Sequence, residues 1–193
     1  MADYAIKSRP AYARLSRDPT GRRHLLLSQT PQAQMEGLAA DTRASDFDEH
    51  WIVLRDSRAV PSLDPTAHEH HFRSEQHMLL SLRQRLADER MGLRLYAVGA
   101  EPFLWTVAAV ARDFGMGRSE VRLCASLGSP RRVFCNHCRT ITEGVTTTIV
   151  ACAGCQAQLL VRDHFSRRLN AFAGVQVDAE APGEIPPIEA LTS

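Results

Sequence analysis

The sequence predicts an α/β fold: a small parallel sheet with flanking helices, then a four-cysteine metal module, then an extended tail. Short apolar runs alternate with helical patterns between residues 24 and 126. Such alternation with short connections implies right-handed crossovers and a parallel sheet. Cys135-Asn-His-Cys138 and Cys152-Ala-Gly-Cys155 are two C-x-x-C pairs separated by 13 residues. That spacing lets two tight turns close on one tetrahedral ion. Charge is segregated as well. Residues 131–172 hold six arginines against Glu143 and Asp163, whereas residues 173–193 hold four acids and no base. A basic module therefore precedes an acidic, proline-containing tail.

Residues 1–23 are polar and arginine-rich and read as an extended arm. His24-Leu-Leu-Leu-Ser28 suits a buried strand, Pro31 to Ala40 a short helix, and Trp51-Ile-Val-Leu-Arg55 a second buried strand. Asp64-Pro65 is a helix start, with Asp as cap and Pro in the first turn. Phe72, Leu79, Leu82 and Leu86 form the apolar stripe of that helix, which stops near Gly92. Leu93 to Val98 reads as a third strand. Gly99-Ala-Glu-Pro102 turns into a helix with Phe103, Val107, Val110, Ala111 and Phe114 on one face, ended by Gly115. Glu120 to Ser126 alternates as a fourth strand, and Gly128-Ser-Pro130 is a linker. The domains expected are thus an arm (1–23), an α/β domain (24–129), a ribbon with a basic amphipathic segment (130–172) and a tail (173–193).

The chain of 193 residues has 44% hydrophobic and 23% charged residues, enough for a substantial core. No apolar run approaches the roughly 18 residues of a membrane span, and the N-terminal segment lacks the apolar stretch of a signal peptide. A cytoplasmic protein is expected, because cysteines in C-x-x-C pairs point to metal binding in a reducing compartment. The net charge of +1 argues against a dedicated nucleic-acid binder.

For Cys135, Cys138, Cys152 and Cys155 the readings are a structural zinc site, a rubredoxin-like iron site, or a redox dithiol. Zinc is favoured because closed four-thiolate tetrahedra are its commonest structural form. Iron takes the same ligands. A closed four-thiolate site leaves no position for substrate, so it holds a fold together, and a module this small needs its metal to fold. His137 is expected to be exposed or outside the ligand set, and Cys124 to be a buried apolar residue. His68 and His71, spaced i, i+3 on the expected helix, could share a metal, but a solvated face is the simpler reading. Arg162, His164, Arg167 and Arg168, interleaved with Phe165, Leu169 and Phe172, read either as an amphipathic helix packed on the cysteine module or as a partner-docking surface. The acidic tail is expected to lie along a partner or to stay disordered. No catalytic and no organic-cofactor-binding residue is assigned.

Two resemblances sharpen these expectations. Residues 96–115, from Tyr96-Ala-Val-Gly-Ala-Glu-Pro to Gly115, resemble the last nicotinamide-side turn of ferredoxin-reductase NAD domains. Val98 stands where those reductases carry Cys. The segment Ser28-Gln-Thr-Pro-Gln-Ala-Gln34 lacks the glycines that let backbone approach a pyrophosphate. The resemblance implies a degenerate reductase-like domain kept as scaffold. The second resemblance rests on Ile6-Lys-Ser-Arg-Pro10, the four-cysteine module, Val161-Arg-Asp-His-Phe-Ser-Arg-Arg168 and Gly174-Val-Gln-Val-Asp-Ala-Glu180. In these the chain resembles the DmmA-like family, the small subunit of dimethylamine monooxygenase, a heme-dependent oxidative N-demethylase. That resemblance implies a non-catalytic subunit of a multisubunit enzyme. Its partners would carry heme, FMN and [2Fe–2S] with NADPH, and tetrahydrofolate. The rival readings are a nucleic-acid-binding zinc ribbon and a domain retaining NAD(P)H binding.

Overall fold

The computed structural model of the chain describes residues 10–54, 68–126 and 130–191. It is a mixed α/β protein with two five-stranded sheets, divided into one compact unit of Tyr12–Ser126 and a second built on Leu127–Ser193. Among the described residues no helix is long and apolar enough to cross a membrane.

The first unit runs β1 (Arg23–Ser28), α1 (Pro31–Gly37), β2 (Glu49–Val53), β3 (Glu69–Phe72), α2 (Glu75–Ala87), β4 (Leu93–Gly99), α3 (Glu101–Asp113) and β5 (Val121–Ala125). The sheet order is β3-β2-β1-β4-β5 and every pairing is parallel, as the strand–helix alternation predicts. The central strand β1 buries both faces, which is why it reads as an unbroken apolar run. One face packs Leu25, Leu27, Trp51, Val53 and Leu95 against Met78, Leu82 and Leu86 of α2 and Phe103, Leu104 and Val107 of α3. The other face packs Leu26, Tyr96, Val98 and Cys124 against Leu15, Ala33, Leu38 and Phe47. Thr30 caps α1 by accepting from Ala33 N–H, with Pro31 in its first turn. Ser74 caps α2 by accepting from His77 N–H.

Two expectations about this unit need correction. The helix expected from Asp64-Pro65 starts at Glu75, after a short edge strand that holds Phe72, and its buried stripe is Met78, Leu82, Leu86. Asp64 and Pro65 themselves lie outside the described residues. An edge strand with a single buried residue carries no alternation for sequence reasoning to find. Residues 12–22 are not an arm. Leu15 is buried and bridges Leu38, and Asp18 is tied in by Arg122 (2.8 Å) and the Thr20 hydroxyl (2.7 Å). Those bonds from Thr20, then Arg122, hold the Asp18 carboxyl well below the usual carboxylate range.

The second unit runs β6 (Arg131–Cys135), β7 (Ile141–Val145), β8 (Ile149–Ala151), β9 (Gln158–Ser166) and β10 (Ala171–Gln176), ordered β7-β6-β10-β9-β8. The β10–β6 pairing is parallel and the rest antiparallel. Gly174 of β10 permits that pairing: a Cβ there would stand 2.7 Å from Val133 Cγ1 and 3.0 Å from Leu159 Cδ1. Arg162 to Arg168 form no amphipathic helix. They belong to β9 and the turn after it. Because β10 continues to Gln176, the boundary drawn at residue 172 cuts a strand. The charge change it followed marks solvent-facing composition, not backbone pairing.

Two predictions follow from the buried polar groups of the first unit. Tyr96 OH accepts from Asp18 N–H (2.8 Å) and lies 3.0 Å from His24 Nδ1. His24 Nε2 faces the Gly21 carbonyl at 3.3 Å, so Nε2 carries the proton and Nδ1 accepts from Tyr96. Tyr96→Phe strands both groups and should cost about 1–3 kcal/mol. Urea unfolding followed by tryptophan fluorescence reads this unit alone, since both tryptophans, Trp51 and Trp105, lie in it. Burial also pushes the His50 imidazole down to about 4, against the raising effect of Glu69, and lowers His24. A depressed histidine binds its proton more readily when unfolded. The stability it contributes is whole above about pH 6.5 and is lost as pH falls toward 4. The unfolding midpoint should drop across that window, and His50→Gln should flatten the slope.

Candidate metal centre

The strand pairs of the second unit end in two similar turns, and each turn carries two cysteines. The Cys135 and Cys138 turn follows β6, and the Cys152 and Cys155 turn joins β8 to β9. The backbone repeats itself in the two. Arg139 N–H donates to Cys135 O and Gln156 N–H to Cys152 O. Cys135 N–H donates to Thr140 O and Cys152 N–H to Ala157 O. Arg139 (φ 66°) and Gln156 (φ 63°) both adopt the left-handed conformation at the residue after the second cysteine. Non-glycine residues take it only at a cost. Nothing in the C-x-x-C pattern announces that strain.

The four Sγ atoms lie within 4.8 Å of one another. Cys135 and Cys155 are 3.9 Å apart, and Cys138 and Cys152 are 3.5 Å apart. A tetrahedral ion with bonds of about 2.3 Å needs sulfurs about 3.8 Å apart, so the cluster fits one metal ion. Backbone N–H groups of Cys138 and Gly154 point at Cys135 Sγ (3.5 Å) and Cys152 Sγ (3.4 Å), as thiolates require. Hydrogen bonds from Thr140 draw the Cys138 thiol down to about 6. The Ala157 N–H favours the Cys155 thiolate, but burial and the neighbouring thiols outweigh it and push that group up to about 11. Four adjacent thiols resist common ionisation, and a bound cation removes that resistance. His137 is exposed on the first turn, and Cys124 is buried in the first unit.

The basic residues lie on β9 and its turn. Three residues of β9, Arg162–His164, face the single residue Ala173 of β10. This three-against-one bulge breaks the alternation and leaves Arg162, Asp163 and His164 all exposed. Arg167 and Arg168 are exposed on the turn beside Leu169, itself 37% exposed. Phe165 differs from the docking expectation: it is buried and packs on Phe172 at 5.0 Å, so it serves the core.

Two other constellations carry less. His68 and His71 flank and enter an edge strand, where i and i+3 point to opposite faces, so they cannot share a metal. Ser28 Oγ, His50 and Glu69 stand in the order of a nucleophile relay, at 3.2 Å and 3.2 Å. Sequence reasoning missed this set because its members come from three separate strands. Ser28 is 0% exposed, so the set is a buried cross-strand network and no substrate reaches its hydroxyl.

Residues 4–121 match the family described as dimethylamine monooxygenase subunit DmmA-like, N-terminal domain, and residues 132–175 match its C-terminal domain. A curated protein of Ectopseudomonas mendocina (strain ymp), the heme-dependent oxidative N-demethylase delta subunit, is 40% identical over 111 residues, covering 58% of this chain and 63% of that protein. The chain thus spans somewhat under two thirds of that relative's length. No solved structure matches. The chain belongs to the DmmA-like family.

The geometry predicts that Cys152→Ser lowers bound metal below one ion per chain, by elemental analysis of purified protein. Gly154→Ala should weaken retention against a chelator at least several-fold. Its Cβ would stand 2.4 Å from Thr140 Oγ1 and 3.2 Å from Cys138 Sγ.

Proposed function

We propose that this member of the DmmA-like family is a non-catalytic assembly subunit of a multisubunit, heme-dependent oxidative N-demethylase acting on dimethylamine. The observation that carries the reading is the family match over both units, joined by the relative described as a subunit of such an enzyme. The metal is zinc, held by Cys135, Cys138, Cys152 and Cys155 as a zinc ribbon. Four thiolates complete a tetrahedron, so the ion fixes the two turns and leaves no open position for substrate or water. Heme, FMN with [2Fe–2S] and NADPH, and tetrahydrofolate belong to partner subunits in this reading. The complex is cytoplasmic.

The parallel unit acts as a scaffold of degenerate ferredoxin-reductase type. Its strand order reverses between β1 and β4, where open α/β sheets take nucleotides outside the carboxyl ends of strands. In this chain Gln29 occupies that position. Its Oε1 accepts from Ala100 N–H at 2.6 Å, its Nε2 donates to Glu75 at 2.9 Å, and its Cβ lies 2.6 Å from where a Cβ on Gly99 would stand. Glu101 adds a carboxylate to the same helix start, taking a hydrogen bond from Tyr12 OH at 3.0 Å. A side-chain amide on the helix N–H group and an acid beside it disfavour a pyrophosphate there.

Docking to the larger subunits runs through Arg162, His164, Arg167 and Arg168. Their exposure on the bulge and the following turn supports this reading, since exposed arginine donors suit an acidic partner face. Arg167→Glu combined with Arg168→Glu should weaken co-purification with a heme-carrying partner about tenfold, or ~1.4 kcal/mol, with metal content unchanged. Undiminished recovery of the partner would remove this patch from the interface.

A further inference from the structure

The second unit carries a piece of its own chain docked on a sheet edge. Ala190 bridges Thr147 in antiparallel register. Thr148 N–H donates to Glu189 O and Leu191 N–H to Thr146 O, each at 2.8 Å. Glu189 N–H donates to the Thr148 hydroxyl at 3.0 Å. On its other side Thr148 O accepts from Val161 N–H of β9 at 2.9 Å. Residues 189–191 therefore act as an added strand outside Thr146–Thr148. Beside them lies a cleft of roughly 400 Å³, lined in part by Arg131, Arg162, Asp163 and Leu160. Arg131 is 5% exposed, with its guanidinium 4.4 Å above the Phe172 ring and 3.4 Å from Asp163.

The strap itself is lightly held. Residues 182–190 are exposed, and they include Ile185 at 47% and Ile188 at 60%. Pairing in cis leaves much of those two side chains in contact with solvent. We propose that the edge at Thr146–Thr148 is a docking site for an extended acidic segment of a partner protein, and that the chain's own tail fills the site until that segment displaces it.

Several observations select this occupant. The site already holds an extended segment with Glu at 189 and a small residue at 190, so the backbone and the register are suited to one. Main-chain bonds to a sheet edge are the usual grip of strand addition, with side chains beside the edge setting preference. The adjoining cleft carries Arg131 and Arg162 against Asp163, which Arg131 already meets at 3.4 Å, and the remaining positive charge favours acid. An open edge is a liability that chains cover, which gives the tail its role before assembly. A strap on a short linker has an effective concentration on the order of millimolar, so weak segments in trans are kept out. A partner that also buries Ile185 and Ile188 supplies the differential affinity that moves the equilibrium.

The test uses the full chain and a labelled peptide of the sequence Gly183–Ser193, read by fluorescence anisotropy. Leu191→Pro removes the N–H given to Thr146 and should raise peptide affinity at least tenfold over the unaltered chain. A chain ending at Gly183 is the second variant and should do the same, which keeps the test decisive if Leu191→Pro misfolds. Lysine in place of Glu184 and Glu189 in the peptide should reduce binding at least threefold. Variants that keep their metal yet bind the peptide no better than the unaltered chain would overturn the docking site. Equal binding of the lysine peptide would overturn the acidic preference. The inference stands apart from the enzyme assignment, because every arm reads this chain alone.

Discussion

Four sulfur atoms within 4.8 Å of one another constrain everything in the second unit. As thiolates they repel one another, so a bound cation would stabilise the arrangement. The backbone is shaped for that arrangement. Two turns repeat the same hydrogen bonds, and two non-glycine residues sit in a costly left-handed conformation. The buried apolar side chains of this unit include Val133, Val145, Ile149, Leu159, Val161, Phe165 and Phe172. An ion held by these four cysteines would pin the points where β6, β8 and β9 begin or end.

The first unit obeys a different logic. Its sheet is buried on both sides, and its stability rests on ordinary packing of long side chains. Buried polar groups there engage one another, as in the set of His24, Tyr96 and Asp18. Gln29 gathers the starts of two helices at the carboxyl end of the sheet, where related architectures leave room for a ligand. At that position the Gln29 side chain ties the two helix starts to the sheet.

Much of this was legible in the sequence, for physical reasons that differ by element. β1 and β4 could be read because burial on both faces demands continuous apolar runs. The clustering of the four cysteines could be read because two C-x-x-C turns each bring a pair of thiols to one point. β3 could not, since a strand at a sheet edge with exposed histidines carries no period-two signal. β9 was misread because its bulge places three polar residues in succession, which imitates a helix's solvated face. Phe165 looked like an interface aromatic from its basic neighbours, and only its contact with Phe172 shows that it faces inward. The embedding of residues 12–22 was hidden for a further reason: Asp18 finds Arg122 across a long stretch of chain, and distant pairs leave no local trace.

The parallel pairing of β10 with β6 has a temporal meaning. Gly174 O takes the N–H of Asn136 inside the first cysteine turn, so that turn is not fully braced until β10 exists. Roughly forty residues separate the two, which at ribosomal speeds is a delay of about 2–8 s. During synthesis Cys135 and Cys138 thus leave the ribosome well before the strand that shelters them. In that interval the two thiols lack the backbone contact that β10 gives the turn. The order of the chain, as much as its final geometry, thus decides when the first cysteine turn is braced.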